Sequence, residues 1–235
     1  MPKSSRAWGD TLLPTLIAAT AIALVTAICL ILLYAPNEQT LGFVQRIFYF
    51  HVPSAILGYL GFTICFCASI LYLFRGGAHI DAVARVGALI GIVFFSMTLT
   101  SGPLWAKKSW GTFWTGEPRL VLALALFVIF LSYVLVRELG GRSELTRRIG
   151  AVLAIFGFAD IPLVRYAVRK WGGHHPELDQ ALTSEMFLTL AVSFIAFILL
   201  FIVLFWVRLR DAFLEERLLC LERDLADREL VLEET

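Results

Sequence analysis

Charge is scarce in this chain: Asp, Glu, Lys and Arg make up 17% of its 235 residues, while 59% are hydrophobic. A soluble domain keeps about a quarter of its residues charged, so this composition excludes an ordinary water-soluble protein and points to a membrane. Cysteine is also sparse. Cys29, Cys65 and Cys67 fall in apolar runs and Cys220 in a charged tail, so none is placed for a disulfide in an oxidising compartment. Cys65-Phe66-Cys67, inside an apolar run, reads as two small buried residues rather than a redox or metal pair. No nucleotide-binding motif is visible, so any ATP-driven step belongs to a separate subunit, and no repeat at about 20–50 residues stands out.

What the chain does contain is long apolar runs. Crossing ~30 Å of hydrocarbon takes about 20 apolar residues, and lipid offers no partners to free backbone groups, so each such run is expected to be a helix. Six qualify: Thr11–Tyr34, Pro53–Phe74, Ala82–Leu104, Leu120–Val136, Ile149–Val168 and Met186–Val207. The first is long enough to span and lacks a small-residue cleavage site, so it reads as a retained helix rather than a leader. With six crossings, 13 of the Lys and Arg residues fall on one side and seven on the other. The richer side is cytoplasmic by the positive-inside rule, which puts both termini there. The expected fold is an all-α integral membrane protein, a bundle of six transmembrane helices. Residues 1–208 form the membrane domain and residues 209–235 a cytoplasmic amphipathic helix. In that tail Leu214, Leu218, Leu221, Leu225 and Leu232 make a coiled-coil-like stripe, which either packs on the protein's own loops or docks a cytoplasmic partner.

The outer loops, Ala35–Val52, Trp105–Arg119 and Arg169–Glu185, carry more than connectors require. The second holds Trp105, Trp110, Phe113 and Trp114 beside Lys107, Lys108 and Arg119, and Trp110, Phe113 and Trp114 would share one face of a helical turn. An aromatic belt at the headgroups needs fewer rings. A dense plate rimmed by cations suits a planar apolar ligand bearing carboxylates. Of four histidines, His51 ends the first outer loop and His174 and His175 lie in the third, leaving His79 on the cytoplasmic side. Two imidazoles from different loops could fill both axial positions of a heme. Pro53 places His51 at the mouth of the second span, and Pro176 restricts His175 to extended conformations. Asp160, two residues before Pro162, is the one acid close to the apolar part of a span, and Arg165 or Arg46 could pair with it. Arg165 and Arg169 could instead pair with propionates.

The segments Arg46-Ile-Phe-Tyr-Phe-His51-Val-Pro53-Ser-Ala55, Trp110-Gly-Thr-Phe-Trp114 with Arg119-Leu120, and Ile161-Pro162 through Tyr166 and Trp171 to His175-Pro176 resemble the CcmC family, the heme exporter protein C of cytochrome c maturation. The resemblance runs from the first span to the sixth. It implies a heme-handling protein of the bacterial inner membrane. Such a protein holds non-covalent b-type heme on its periplasmic face and delivers it to the heme chaperone CcmE. The ABC subunits CcmA and CcmB and the small membrane protein CcmD are further implied partners. Carried over residue by residue, His51 and His175 are the axial ligands and Trp110, Gly111, Trp114 and Arg119 stand at family positions around the macrocycle, with Phe113, Trp171 and Arg46 assigned to the same site. The chain departs from the family where further tryptophan and an aspartate are usual, having Phe113, Gly116, Glu117 and Pro118 there.

The resemblance assigns a binding and transfer component, not an enzyme. The alternatives are a small-molecule transporter and a subunit of a cytochrome c synthase or heme lyase complex. A transporter calls for midplane polar groups or broken helices, which the spans largely lack. An electron-transfer cytochrome with buried heme calls for histidines inside facing spans, and none of the six runs has one in its interior.

Overall fold

The computed structural model describes residues 3–141, 143–172 and 182–233, and all regular structure among them is helical. Six long helices follow in order: α1 (Lys3–Cys29), α2 (Phe48–Arg75), α3 (Ala78–Trp110), α4 (Pro118–Leu139), α5 (Glu144–Trp171) and α6 (Ser184–Glu233). A π-helical turn, Leu30–Tyr34, ends α1, and a 3-10 turn, Phe43–Ile47, leads into α2.

Among the described residues five stretches are long and apolar enough to cross a membrane: Thr11–Tyr34, Phe43–Arg75, Ala78–Trp110, Pro118–Leu139 and Ser184–Asp227. The chain is a multi-pass membrane protein. Helix α5 carries the apolar run Ile149–Val168, with Asp160 and Arg165 inside it, and packs along α4 and α2.

The α2–α3 pair is the centre of the bundle, and small residues let these helices touch. A Cβ added at Gly61 would lie 2.6 Å from the Gly91 Cα, so nothing larger than hydrogen fits where the backbones meet. Around that contact Phe62 stacks on Phe130 of α4 with ring centroids 4.0 Å apart, and Phe95 and Tyr133 complete a core shared by α2, α3 and α4. A second cluster joins Leu57 and Phe94 to Phe197 and Phe201 of α6.

One end of the bundle is tied by ions. Asp81 at the start of α3 and Arg137 near the end of α4 form a salt bridge, and both side chains are almost fully buried. Arg147 of α5 reaches Asp81 and Glu216 of α6, each at 3.6 Å, and Arg85 pairs with Glu215 at 2.9 Å. These contacts clamp the extension of α6. At 50 residues that helix is about 75 Å long at ~1.5 Å per residue, more than twice a hydrocarbon core, so the span and the charged tail form one continuous rod. The tail's leucine stripe is not packed on described loops: Leu214, Leu218, Leu221 and Leu225 are all about half exposed or more.

Candidate functional site

At the opposite end, the tryptophan end, α3 continues beyond the expected span because no breaker intervenes before Gly111. That glycine takes a left-handed conformation (φ 76°) and stops the helix, and Lys107 Nζ donates to the Gly111 carbonyl at 2.8 Å. Trp105 and Trp110 are therefore helical, and their rings meet edge to face at 5.6 Å. Phe113 and Trp114 lie past the stop, which corrects the expectation that Trp110, Phe113 and Trp114 share a helical face. Their turn is held by Thr112, whose hydroxyl donates to the Trp114 carbonyl at 3.1 Å. Lys107 Nζ sits 5.4 Å from the Phe113 ring centroid. Phe113 is 53% exposed and Trp114 42%, so this end of the molecule presents bare aromatic faces.

Helix α4 begins immediately afterwards. Glu117 is its N-cap residue and Pro118 its first position, and the Glu117 carbonyl accepts from the Leu120 and Val121 amides, each at 3.0 Å. Gly116 has φ 72°, so the departure from the family pattern at Gly116-Glu117-Pro118 makes a tight entry into the helix. Arg119 follows in the first turn, half-buried.

His51 stands in the first turn of α2, half-buried, with Nδ1 2.8 Å from the Ser101 hydroxyl oxygen of α3. Trp105 lies one turn above Ser101 on that helix face, so the imidazole and the aromatic cluster are carried by one helix pair. Beside His51 in sequence, Val52 and Ile56 form one wall of an apolar cavity of about 730 Å³, and Phe187, Leu190 and Phe194 of α6 form another.

Arg46, expected to lie beside heme, is engaged at the end of α1. Its Nη1 donates to the Leu32 carbonyl at 2.9 Å and its Nη2 to the Ala35 carbonyl at 3.4 Å, and its guanidinium lies over the Phe43 ring at 4.4 Å. It caps the widened end of α1. In the same loop the Glu38 carboxylate accepts from the Leu41 and Thr40 amides, and these bonds hold its carboxyl below the usual carboxylate range.

Asp160 is 7% exposed, and its Oδ2 has no hydrogen-bond partner among the described residues. Arg46 does not pair with it, being engaged at α1. His174, His175 and Pro176 lie outside the described residues, as do the side chains of Arg165, Arg169 and Trp171. His79 is remote, edge-on to Phe213 at the ion-tied end.

Sequence reasoning missed Ser101 and Gly102. In an apolar run a serine and a glycine look like packing residues, and only the fold shows them against the imidazole. A Cβ at Gly102 would sit 3.4 Å from His51 Cε1.

The family model described as CcmC, heme exporter protein C, matches residues 1–223. The heme exporter protein C of Bradyrhizobium diazoefficiens is 30% identical over 222 residues, covering 92% of this chain and 84% of the relative. That of Rhodobacter capsulatus is 30% identical over 220 residues, 90% of each. That of Escherichia coli K12 is 27% identical over 184 residues, 77% and 75%. With the family matched over nearly the whole length and the motif residues standing at one end of a helical membrane bundle, the chain belongs to the CcmC, heme exporter protein C, family.

Proposed function

We propose that this protein binds heme at the tryptophan end of the bundle, on the periplasmic face of the bacterial inner membrane, and hands it to a heme chaperone for cytochrome c maturation. Membership of the heme exporter protein C family supports heme handling in that pathway and a transport component rather than an enzyme. The observation that carries the site is His51, an imidazole held on a rigid helix pair by Ser101, on the same helix pair that carries the tryptophan end. These residues fit heme in their chemistry: a nitrogen donor at His51, bare ring faces at Phe113 and Trp114, and a cation at Arg119. Bound heme supplies iron with two axial positions, taken in this reading by His51 and His175.

The remaining roles follow from side-chain chemistry. Phe113 and Trp114 offer flat apolar surface to the macrocycle, with Trp110, Gly111 and Trp171 framing it. Arg119 meets a propionate through charge-assisted hydrogen bonds. Exposure of the rings leaves one edge open, as transfer to an acceptor requires. In this reading α5 also crosses, as the fifth of six spans, and both termini are cytoplasmic. CcmE receives b-type, non-covalently held heme, and CcmA, CcmB and CcmD complete the complex, with ATP hydrolysis in the partner subunits.

Protein purified from heme-producing cells tests the site. A Soret band should be present, weakened by His51→Ala and His175→Ala and retained in His174→Ala and His79→Ala. An unchanged band in both of the first two variants overturns the ligand assignment. Loss in His174→Ala alone moves the second ligand by one residue.

A further inference from the structure

The Ser101 hydroxyl oxygen lies 2.8 Å from His51 Nδ1, 2.6 Å from the Met97 carbonyl and 3.3 Å from the Thr98 carbonyl. A serine hydroxyl has one proton to give and lone pairs to receive with, whereas a carbonyl only accepts. The proton therefore goes to Met97. Turned toward His51 instead, it would leave two oxygens facing each other lone pair to lone pair at 2.6 Å, with Ser101 only 3% exposed and no water to intervene cheaply. The hydroxyl accordingly accepts from the imidazole, Nδ1 carries the hydrogen, and Nε2 carries the lone pair.

We propose that Ser101 is a positioning residue for His51: it fixes the imidazole as the Nδ1–H tautomer, so that Nε2 is the iron-binding nitrogen, and as a neutral partner it keeps that ligand weak enough to release heme. This rests on His51 being a heme ligand. The partner of a metal-bound histidine sets its tautomer and basicity, and a carboxylate there draws on the Nδ1 proton and strengthens the metal bond. A hydroxyl that is itself donating to a carbonyl draws far less. Both residues sit on the α2–α3 pair, whose backbones touch at Gly61 and Gly91, so the hydrogen bond is held by the most closely packed helices of the bundle.

The test uses full-length protein in detergent. In the heme-free form, ring ¹⁵N shifts of His51, assigned by their loss in His51→Ala, should report an Nδ1–H tautomer. Ser101→Ala should move them toward the Nε2–H form, and Ser101→Thr should restore the wild-type pattern. In the heme-loaded form Ser101→Ala should lower heme retention about 10-fold or more, the scale of a lost outer partner of a metal-bound histidine. Ser101→Thr should retain it. Transfer to added apomyoglobin should slow in Ser101→Asp; unchanged or faster transfer overturns the release half of the proposal. A wild-type Nε2–H tautomer, or a Ser101→Ala protein with unaltered ¹⁵N shifts and heme retention, overturns the positioning half. A Soret band lost in His51→Ala but unmoved in Ser101→Ala removes this proposal alone, whereas a band surviving in His51→Ala removes the ligand reading with it.

Discussion

Arg46 Nη1 donates to the Leu32 carbonyl at 2.9 Å, which places the cation five residues before His51 at the end of α1. The π-helical turn Leu30–Tyr34 leaves carbonyls without their usual α-helical partners, and Arg46 satisfies Leu32 within it and Ala35 just after it. Hydrogen bonds to a charged group contribute about 1.5–3 kcal/mol. Arg46→Gln should therefore lower the melting temperature of the heme-free protein in detergent. A residue acting on heme alone would leave that temperature where it was.

Gly61 is where α2 and α3 touch, and a valine there has no space to occupy. Its Cβ would meet Gly91 Cα and N at 2.6 Å, both backbone atoms. Gly61→Val should abolish recovery of folded protein, read as loss of the monodisperse peak in size-exclusion chromatography. Gly102→Ala meets only an ordinary contact at 3.4 Å from His51 Cε1 and should be recovered normally.

Asp81 and Arg137 form a buried pair joining α3 to α4, with Arg147 as a more distant second cation. Removing one partner of a buried pair costs about 3–5 kcal/mol, because the other is left uncompensated, while replacing both with apolar groups of similar size is nearly neutral. Arg137→Met should be strongly destabilising and Asp81→Leu with Arg137→Met much less so. The measurement is a thermal double-mutant cycle, and additive effects would remove the coupling.

Leu218 is 59% exposed and Leu225 61%, on the part of α6 beyond the ion clamp. Substitutions at such surface positions stay within about 0.5 kcal/mol. Leu218→Glu with Leu225→Glu should leave both the melting temperature and the Soret band of the isolated protein unchanged. A marked fall in stability would show that the stripe is covered within the chain itself.

Much of this was legible in advance because it depends on local composition. The helical stretches follow from apolar runs longer than any soluble strand, and His51, Trp110, Trp114 and Arg119 stand out as residues unsuited to plain connectors. The contacts of Arg46 were not legible, because nothing in its neighbourhood of sequence points to the carbonyls of Leu32 and Ala35. Phe113 and Trp114 fit a continued helix equally well on spacing, until Gly111 adopts a left-handed φ and stops it.

The amino-acid sequence by itself determined that the chain enters the membrane as helices and that its unusual residues gather in the connections, since hydropathy and helix period are properties of consecutive residues. Only the tertiary structure decided which groups meet: Ser101 with His51 across 50 residues, Arg137 with Asp81 across 56, and Arg46 with the end of α1. Hydrogen bonds and ion pairs depend on distances of a few ångströms between atoms far apart in the chain, and these distances exist only once the helices have packed.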